Sequence, residues 1–63
     1  MNISAHIKEK LKGYLATNEP NFRHIRDVVI DSEDNHSTTY RITYKEVFMG
    51  VSGIDTTYIT LPK

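Results

Sequence analysis

Residues 3–16 carry an apolar spacing that predicts an amphipathic helix. The apolar positions recur at intervals of three and four residues, which places their side chains on one helical face: Ile3, Ile7, Leu11, Tyr14 and Leu15. Ser4 is a suitable N-cap residue, and Pro20 cannot continue the helix. Gly13 weakens the last turn or allows close packing there.

Residues 27–44 have the pattern of a β-hairpin. A β-branched run at residues 28–30 leads into a polar segment, and alternating threonine, tyrosine and isoleucine follow it. We predict strands at residues 26–33 and 38–49. The polar segment lacks glycine, so we expect a loop of four or five residues rather than a tight turn.

The segment before this hairpin allows two interpretations. Phe22, Ile25 and Val29 have helical spacing, whereas the β-branched run that follows favours a strand. We therefore predict a turn or a single helical turn over residues 20–24.

A third strand is predicted over residues 55–61, after a turn at residues 50–53 that contains two glycines. The predicted fold is α+β: one N-terminal helix packed on a three-stranded antiparallel sheet, in the order α-β-β-β. It forms a single small domain over residues 1–63. The expected core draws on both layers: Ile7, Leu11, Tyr14, Leu15, Val28, Ile30, Ile42, Tyr44, Ile59 and Leu61.

Composition narrows the classes of function. The chain has 63 residues and no cysteine, so disulfides and thiolate metal sites are excluded, and homodimerisation is the expected reinforcement of so small a core. Eight basic and eight acidic residues balance, without the basic excess of a dedicated duplex-DNA binder. Apolar runs are too short for a membrane span, so we expect no membrane partner. The absence of cysteine suits a reducing compartment, so we expect a cytoplasmic location.

Neither a metal site nor a catalytic site is predicted. The acidic turn that begins at Asp31 has His36 and Ile42 where a calcium loop of the EF-hand type needs glycine and glutamate. The histidines lack the spacing of a helical zinc pair, and the serines lie in caps and turns. We therefore expect no enzymatic activity and no cofactor.

Apolar residues near the second turn suggest a surface that binds another protein. Phe48, Met49 and Val51 lie beside glycines, and Tyr58 lies on the sheet face opposite the helix. We expect a non-enzymatic protein-binding module that acts as an adaptor, regulator or inhibitor. A homodimer would form through the open sheet face, an edge strand or this corner. In the competing interpretation, Phe48 folds back and caps the core.

The alternative function is a single-stranded nucleic-acid or RNA-binding protein. Arg23, Arg26 and Arg41 would contact phosphates, and Tyr40 would stack on bases. Sheet tyrosines pack in cores more often than they stack on bases. A steep loss of binding with salt would distinguish this function from an apolar protein contact.

Overall fold

The computed structural model describes residues 3–63, which form one helix followed by three strands. Helix α1 spans Ala5–Asn18, and strands β1, β2 and β3 span Phe22–Glu33, Ser37–Phe48 and Val51–Pro62. The strands are antiparallel in the order β1-β2-β3, so β2 is central and β1 and β3 are the edges. The predicted α+β fold, a helix on a three-stranded antiparallel sheet, is confirmed.

A side-chain cap at the start and a backbone cap at the end define the bounds of α1. Ser4 is the N-cap residue, and its hydroxyl oxygen accepts the backbone N–H of Ile7 at 3.2 Å. At the other end, the side chains of Thr17 and Asn18 each donate to a backbone carbonyl one turn earlier, at 2.9 Å. The C-cap residue is Glu19, whose backbone N–H donates to the carbonyl of Leu15 at 2.8 Å, so the helix extends beyond the predicted end at residue 16.

Strand β1 begins at Phe22, earlier than predicted. Only Pro20 and Asn21 form a turn, so the alternative of a helical turn over residues 20–24 is wrong. The carbonyl of Asn21 accepts the N–H of Val47 at 2.9 Å, which ties the connection between α1 and β1 to the far end of β2.

Three β-bulges interrupt the pairing of β1 with β2, and they account for the irregular apolar spacing at the start of the strand. Its pairing with β2 skips one residue at each of three places: Arg23, Arg26 and Asp31. Each extra residue shifts the inside–outside alternation by one position. Phe22, Ile25 and Val28 therefore all lie on the helix side, although their three-residue spacing resembles that of a helix.

The β2–β3 connection is a two-residue turn at Met49 and Gly50, with φ angles of 52° and 80°. Positive φ at both central residues is the requirement of a type I′ turn. The predicted turn at residues 50–53 is therefore displaced, and β3 starts before the predicted position. Gly53 belongs to the strand and lies opposite Glu46, in an unbroken register of β2 with β3.

The acidic β1–β2 loop is shorter than predicted, because β2 already begins at Ser37. One carboxylate oxygen of Asp34 accepts the backbone N–H groups of His36 and Ser37, each at 2.7 Å. These two bonds hold the pKa of Asp34 below its ordinary value. The Asp34 carboxylate thus closes the turn.

The core lies between α1 and the centre of the sheet. Its buried members are Leu11, Leu15, Tyr40, Ile42, Tyr44 and Ile59. Ile7, Val28, Ile30 and Leu61 are partly buried against them. Tyr14 was predicted in the core but is 51% exposed. It lies about 60° and 100° around the helix from Leu11 and Leu15, at the border of the buried stripe.

The helix covers only part of the sheet. Each strand has 12 residues and spans about 40 Å, whereas the 14 residues of α1 span about 21 Å. The molecule measures 42 × 20 × 17 Å. Pairing of β1 with β2 ends at Glu46, and the Asn21 carbonyl still accepts the N–H of Val47, so the part of the β2–β3 hairpin that extends beyond β1 is residues 48–51.

Candidate protein-binding surface

Exposed apolar side chains are concentrated on the β2–β3 hairpin. Of the six large apolar residues that are strongly exposed within residues 3–63, five belong to it. We call these five the hairpin surface: Phe48, Met49, Val51, Ile54 and Tyr58, which are 59, 86, 70, 55 and 57% exposed. The sixth is Tyr14 on α1.

Phe48 and Val51 form the last residue pair of the hairpin. Directly opposed residues share a sheet face, and Phe48 shares its face with the buried Tyr44. Both side chains therefore lie on the helix side, but beyond the region that α1 covers. Phe48 remains largely exposed, so it does not cap the core.

Met49 occupies the apex of the hairpin in a disfavoured backbone conformation. A positive φ suits glycine, asparagine or aspartate, and it costs roughly 1–2 kcal/mol for a residue with a larger side chain. Met49 adopts φ 52° and is the most exposed of the large apolar residues. The turn thus presents a flexible, polarisable side chain at the point furthest from the core.

Ile54 and Tyr58 lie on the open sheet face, away from α1. They are opposite Lys45 and Arg41 of β2. Threonines fill much of the rest of this face, and the hydroxyl oxygens of Thr39 and Thr60 lie 2.8 Å apart across the strands. The open sheet face is therefore largely polar and rich in threonine apart from Ile54 and Tyr58.

Sequence reasoning missed Ile54 as a surface residue. Gly53 was assigned to a turn, which left Ile54 at the edge of the predicted strand. The alternation of residues from Tyr58 back to Ile54 continues the pattern of the predicted strand toward the turn, and it could have placed Ile54 on the same face as Tyr58.

The residues of the alternative, nucleic-acid surface do not converge. Arg23 and Arg26 are exposed in two bulges of edge strand β1, whereas Arg41 lies on the open face of the central strand. Tyr40 is only 7% exposed and packs in the core on the helix side, so it offers no ring face to a base. Tyr58, in contrast, is exposed and lies directly opposite Arg41.

An open groove of about 690 Å³ runs between α1 and β1. Its charged lining residues have both signs: Lys8, Lys12 and Arg26 against Glu9 and Asp27. Such a mixed lining does not select an anionic ligand over a cationic one. The groove therefore has no chemistry that singles out a substrate.

Tyr44 is a buried titratable group, but its environment keeps it protonated. Burial raises the pKa of its hydroxyl, and the nearby carboxylates of Glu19, Asp55 and Glu46 raise it further. The phenol is therefore a neutral part of the core at physiological pH. It is not tuned for proton transfer, which requires a pKa near the working pH.

Comparison of the chain with protein-family models, curated proteins and solved structures gives no match in any of the three. Within residues 3–63, no helix has both the length and the apolar character needed to cross a membrane. The same residues contain no cluster of three or more histidine, cysteine, aspartate or glutamate side chains that could hold a metal ion. The hairpin surface is the feature on which a function can be argued.

Proposed function

We propose that this protein is a non-enzymatic binding module that acts as an adaptor, regulator or inhibitor of a partner protein. The observation that supports this proposal is the cluster of exposed apolar side chains at the hairpin tip: Phe48, Met49 and Val51. Apolar side chains that remain exposed together on a small domain are typical of an interaction site.

The position of the tip suits insertion into a groove on the partner. The tip extends beyond β1, so a partner can surround it without moving α1 or the core. Burial of a phenylalanine or methionine side chain contributes about 1.5–3 kcal/mol. Two such anchors give useful affinity from a small contact, and the module would act by occluding a site on the partner.

Charge supports an apolar contact in preference to a phosphate contact. The formal net charge is zero, so long-range attraction to a polyanion is weak. The arginines of the alternative surface are also spread over two strands. A cytoplasmic location is part of the proposal and is supported by the absence of cysteine alone.

The test is affinity capture from a lysate of the source cell, with and without nuclease, using the parent chain and two variants. Phe48→Ala should reduce retention of the partner about tenfold or more, because an anchor worth about 1.5–3 kcal/mol is removed. Tyr14→Ala is the matched control, since it removes an exposed aromatic ring from α1 and not from the hairpin. It should leave retention unchanged.

Circular dichroism of both variants checks that the fold is intact. Equal retention by the parent and a folded Phe48→Ala variant would contradict the proposed surface. Retention that disappears with nuclease, and that falls steeply with salt, would instead support the nucleic-acid alternative and direct attention to Arg23, Arg26 and Arg41.

A further inference from the structure

The two edges of the sheet differ in how they are protected against strand pairing. Edge β1 is interrupted by three bulges, each with a charged extra residue, and it is the strand closest to α1. Bulges and charges are common devices that prevent pairing of edges. Edge β3 pairs with β2 over all its 12 residues without a bulge, and Asp55 is its one charged residue.

The two-residue turn determines which backbone groups of β3 point outward. In such a hairpin the flanking pair, Phe48 and Val51, exchanges hydrogen bonds, and bonded and non-bonded pairs then alternate along the ladder. At the far end, the N–H of Lys63 donates to the carbonyl of His36 at 2.9 Å, which agrees with this alternation.

Odd-numbered residues of β3 therefore bond to β2, and even-numbered residues direct their N–H and C=O groups away from it. The outward row consists of Ser52, Ile54, Thr56, Tyr58 and Thr60. Pro62 also falls at an outward position, where its missing N–H removes no bond to β2.

We propose that β3 pairs antiparallel with β3 of a second copy of the chain, about a two-fold axis at Thr56. The result is a six-stranded sheet. Odd-numbered residues of β3, which lie on the helix side, pair with odd-numbered residues of the second copy, so both helices lie on the same side of this sheet. This inference goes beyond the proposed function, since it requires no other partner. Ile54 then lies opposite Tyr58 of the second copy, and Val51 lies opposite its Leu61.

Side-chain complementarity selects this register. It pairs every residue of the range 51–61 and leaves Pro62 outside the ladder. The exposed side chains of Val51, Ile54 and Tyr58 all gain apolar partners across the interface. Asp55 lies opposite Thr57, so the two copies of the carboxylate do not face each other.

Neighbouring registers are less favourable. An axis at Asp55 places the two carboxylates directly opposite each other, which is destabilising. An axis at Thr57 places Pro62 opposite Ser52, where the ladder needs an N–H that proline lacks. It also moves Ile54 away from Tyr58 and places it opposite Thr60.

Asp55 weakens the proposed pairing at its centre. In the isolated chain its carboxylate accepts the N–H of Thr56 at 2.8 Å. In the dimer that N–H donates to the Thr56 carbonyl of the second copy, and the carboxylate loses this bond. We therefore expect Asp55→Thr to strengthen self-association severalfold, because it removes the competing acceptor and the charge.

The test uses the purified chain alone, so its result does not depend on the partner protein. Sedimentation equilibrium over a concentration series measures self-association of the parent and of Asp55→Thr. Cross-linking then tests the register. The chain contains no cysteine, so a single introduced thiol can form a disulfide only between copies.

Thr56→Cys places two thiols at the axis, with Cα atoms about 5.5 Å apart, within disulfide range. Thr60→Cys is the matched control on the same strand and the same face. Its two copies would be separated by eight residues, about 27 Å. We expect oxidation to give at least about tenfold more covalent dimer for Thr56→Cys, since only that pair meets the disulfide distance.

A concentration-dependent dimer together with selective cross-linking of Thr56→Cys supports the proposal. A parent chain and an Asp55→Thr variant that both remain monomeric at all concentrations would overturn it. Equal cross-linking of Thr56→Cys and Thr60→Cys would overturn it as well, because the register would then differ. Neither result would bear on partner capture by the hairpin tip.

Discussion

Leu11 and Tyr14 lie within one turn of α1, but their environments are opposite. Leu11 is fully buried and Tyr14 is half exposed. Leu11→Ala should therefore lower the free energy of unfolding by about 2–5 kcal/mol, which is a large part of the stability of so small a domain. Tyr14→Ala should lower it by less than about 1 kcal/mol.

Chemical denaturation followed by far-UV circular dichroism measures both variants. The comparison tests how α1 is rotated on the sheet, because the two side chains differ in which side of the helix they occupy. Similar losses for Leu11→Ala and Tyr14→Ala would mean that the helix docks in a different orientation.

Asp34 gives the β1–β2 loop a dependence on pH. Its pKa is lower in the folded state than in the unfolded state, so the unfolded state binds the proton more readily. The stabilisation is fully present above the unfolded pKa of about 3.9, and it is lost as the pH falls through the folded value. Acidification below about pH 4 should therefore weaken the parent chain.

Asp34→Asn retains an acceptor oxygen but cannot titrate, so its stability should change less than that of the parent in this acidic range. Thermal unfolding at a series of pH values measures the difference. Asp31→Asn is the control, since the structure shows no comparable bonds to the backbone from that carboxylate. Identical pH profiles for Asp34→Asn and the parent would rule out this role of the loop.

At the scale of elements, the sequence predicted regular elements well and irregular ones poorly. Helix α1 has a cap at Ser4, an apolar face and a nearby proline, and each of these three features of the sequence indicated the helix. Strand β2 alternates strictly in its first half, and Ile42 and Tyr44 are buried as predicted. Strand β1 contains bulges that depend on pairing with β2, and an isolated strand carries no direct signal of them.

The candidate surface was predictable for related reasons. Phe48, Met49 and Val51 were recognised because large apolar residues adjoin a glycine, but the turn itself was misplaced. Met49 adopts a positive φ that its residue type disfavours, so local propensity did not indicate it. Tyr40 was assigned to a binding surface although it shares the face of Ile42 and Tyr44, which signals burial.

The bulged strand leads to a prediction about deletions. Removing Arg26 eliminates one bulge and restores simple alternation between Ile25 and Val28, so both stay on the helix side. Removing Thr43 from the regular strand β2 instead turns one part of that strand over, which exposes either Ile42 or Tyr44. Deletion of Arg26 should therefore preserve cooperative unfolding, and deletion of Thr43 should abolish it.

Thermal unfolding followed by circular dichroism distinguishes the two deletions. The matched pair is informative because each removes one exposed or half-exposed residue from a strand that contributes to the same core. Loss of cooperative unfolding in both variants would mean that the bulge at Arg26 has a structural role that a regular strand cannot replace.

At the scale of the whole molecule, the shape results from long strands and a short helix. The radius of gyration is 12.1 Å, whereas a compact chain of this length would have about 10.6 Å. The extra length consists of sheet that α1 does not cover. The hairpin tip and the edge of β3 are therefore accessible without any rearrangement, and both proposed contacts use this uncovered part of the sheet.

Amide hydrogen exchange should reveal the outward row of β3. In a dilute solution, odd-numbered residues of β3 should exchange slowly, because they bond to β2. Ile54, Tyr58 and Thr60 should exchange quickly, since their N–H groups face water. Strand β2 is the internal control, because it bonds to a neighbour on each side. On the β1 side, for example, the N–H of Val47 donates to the carbonyl of Asn21. Protection of the β2 amides from exchange should therefore not alternate along the strand.

Raising the protein concentration extends this experiment to self-association. If β3 pairs with a second copy, Ile54, Tyr58 and Thr60 should become protected, while amides of β1 should keep their exchange rates. NMR spectroscopy resolves these amides individually. Uniform protection along β3 at low concentration would show that bonded and non-bonded pairs do not alternate from the pair of Phe48 and Val51. The outward row of N–H and C=O groups would then not exist, and the proposed dimer could not form.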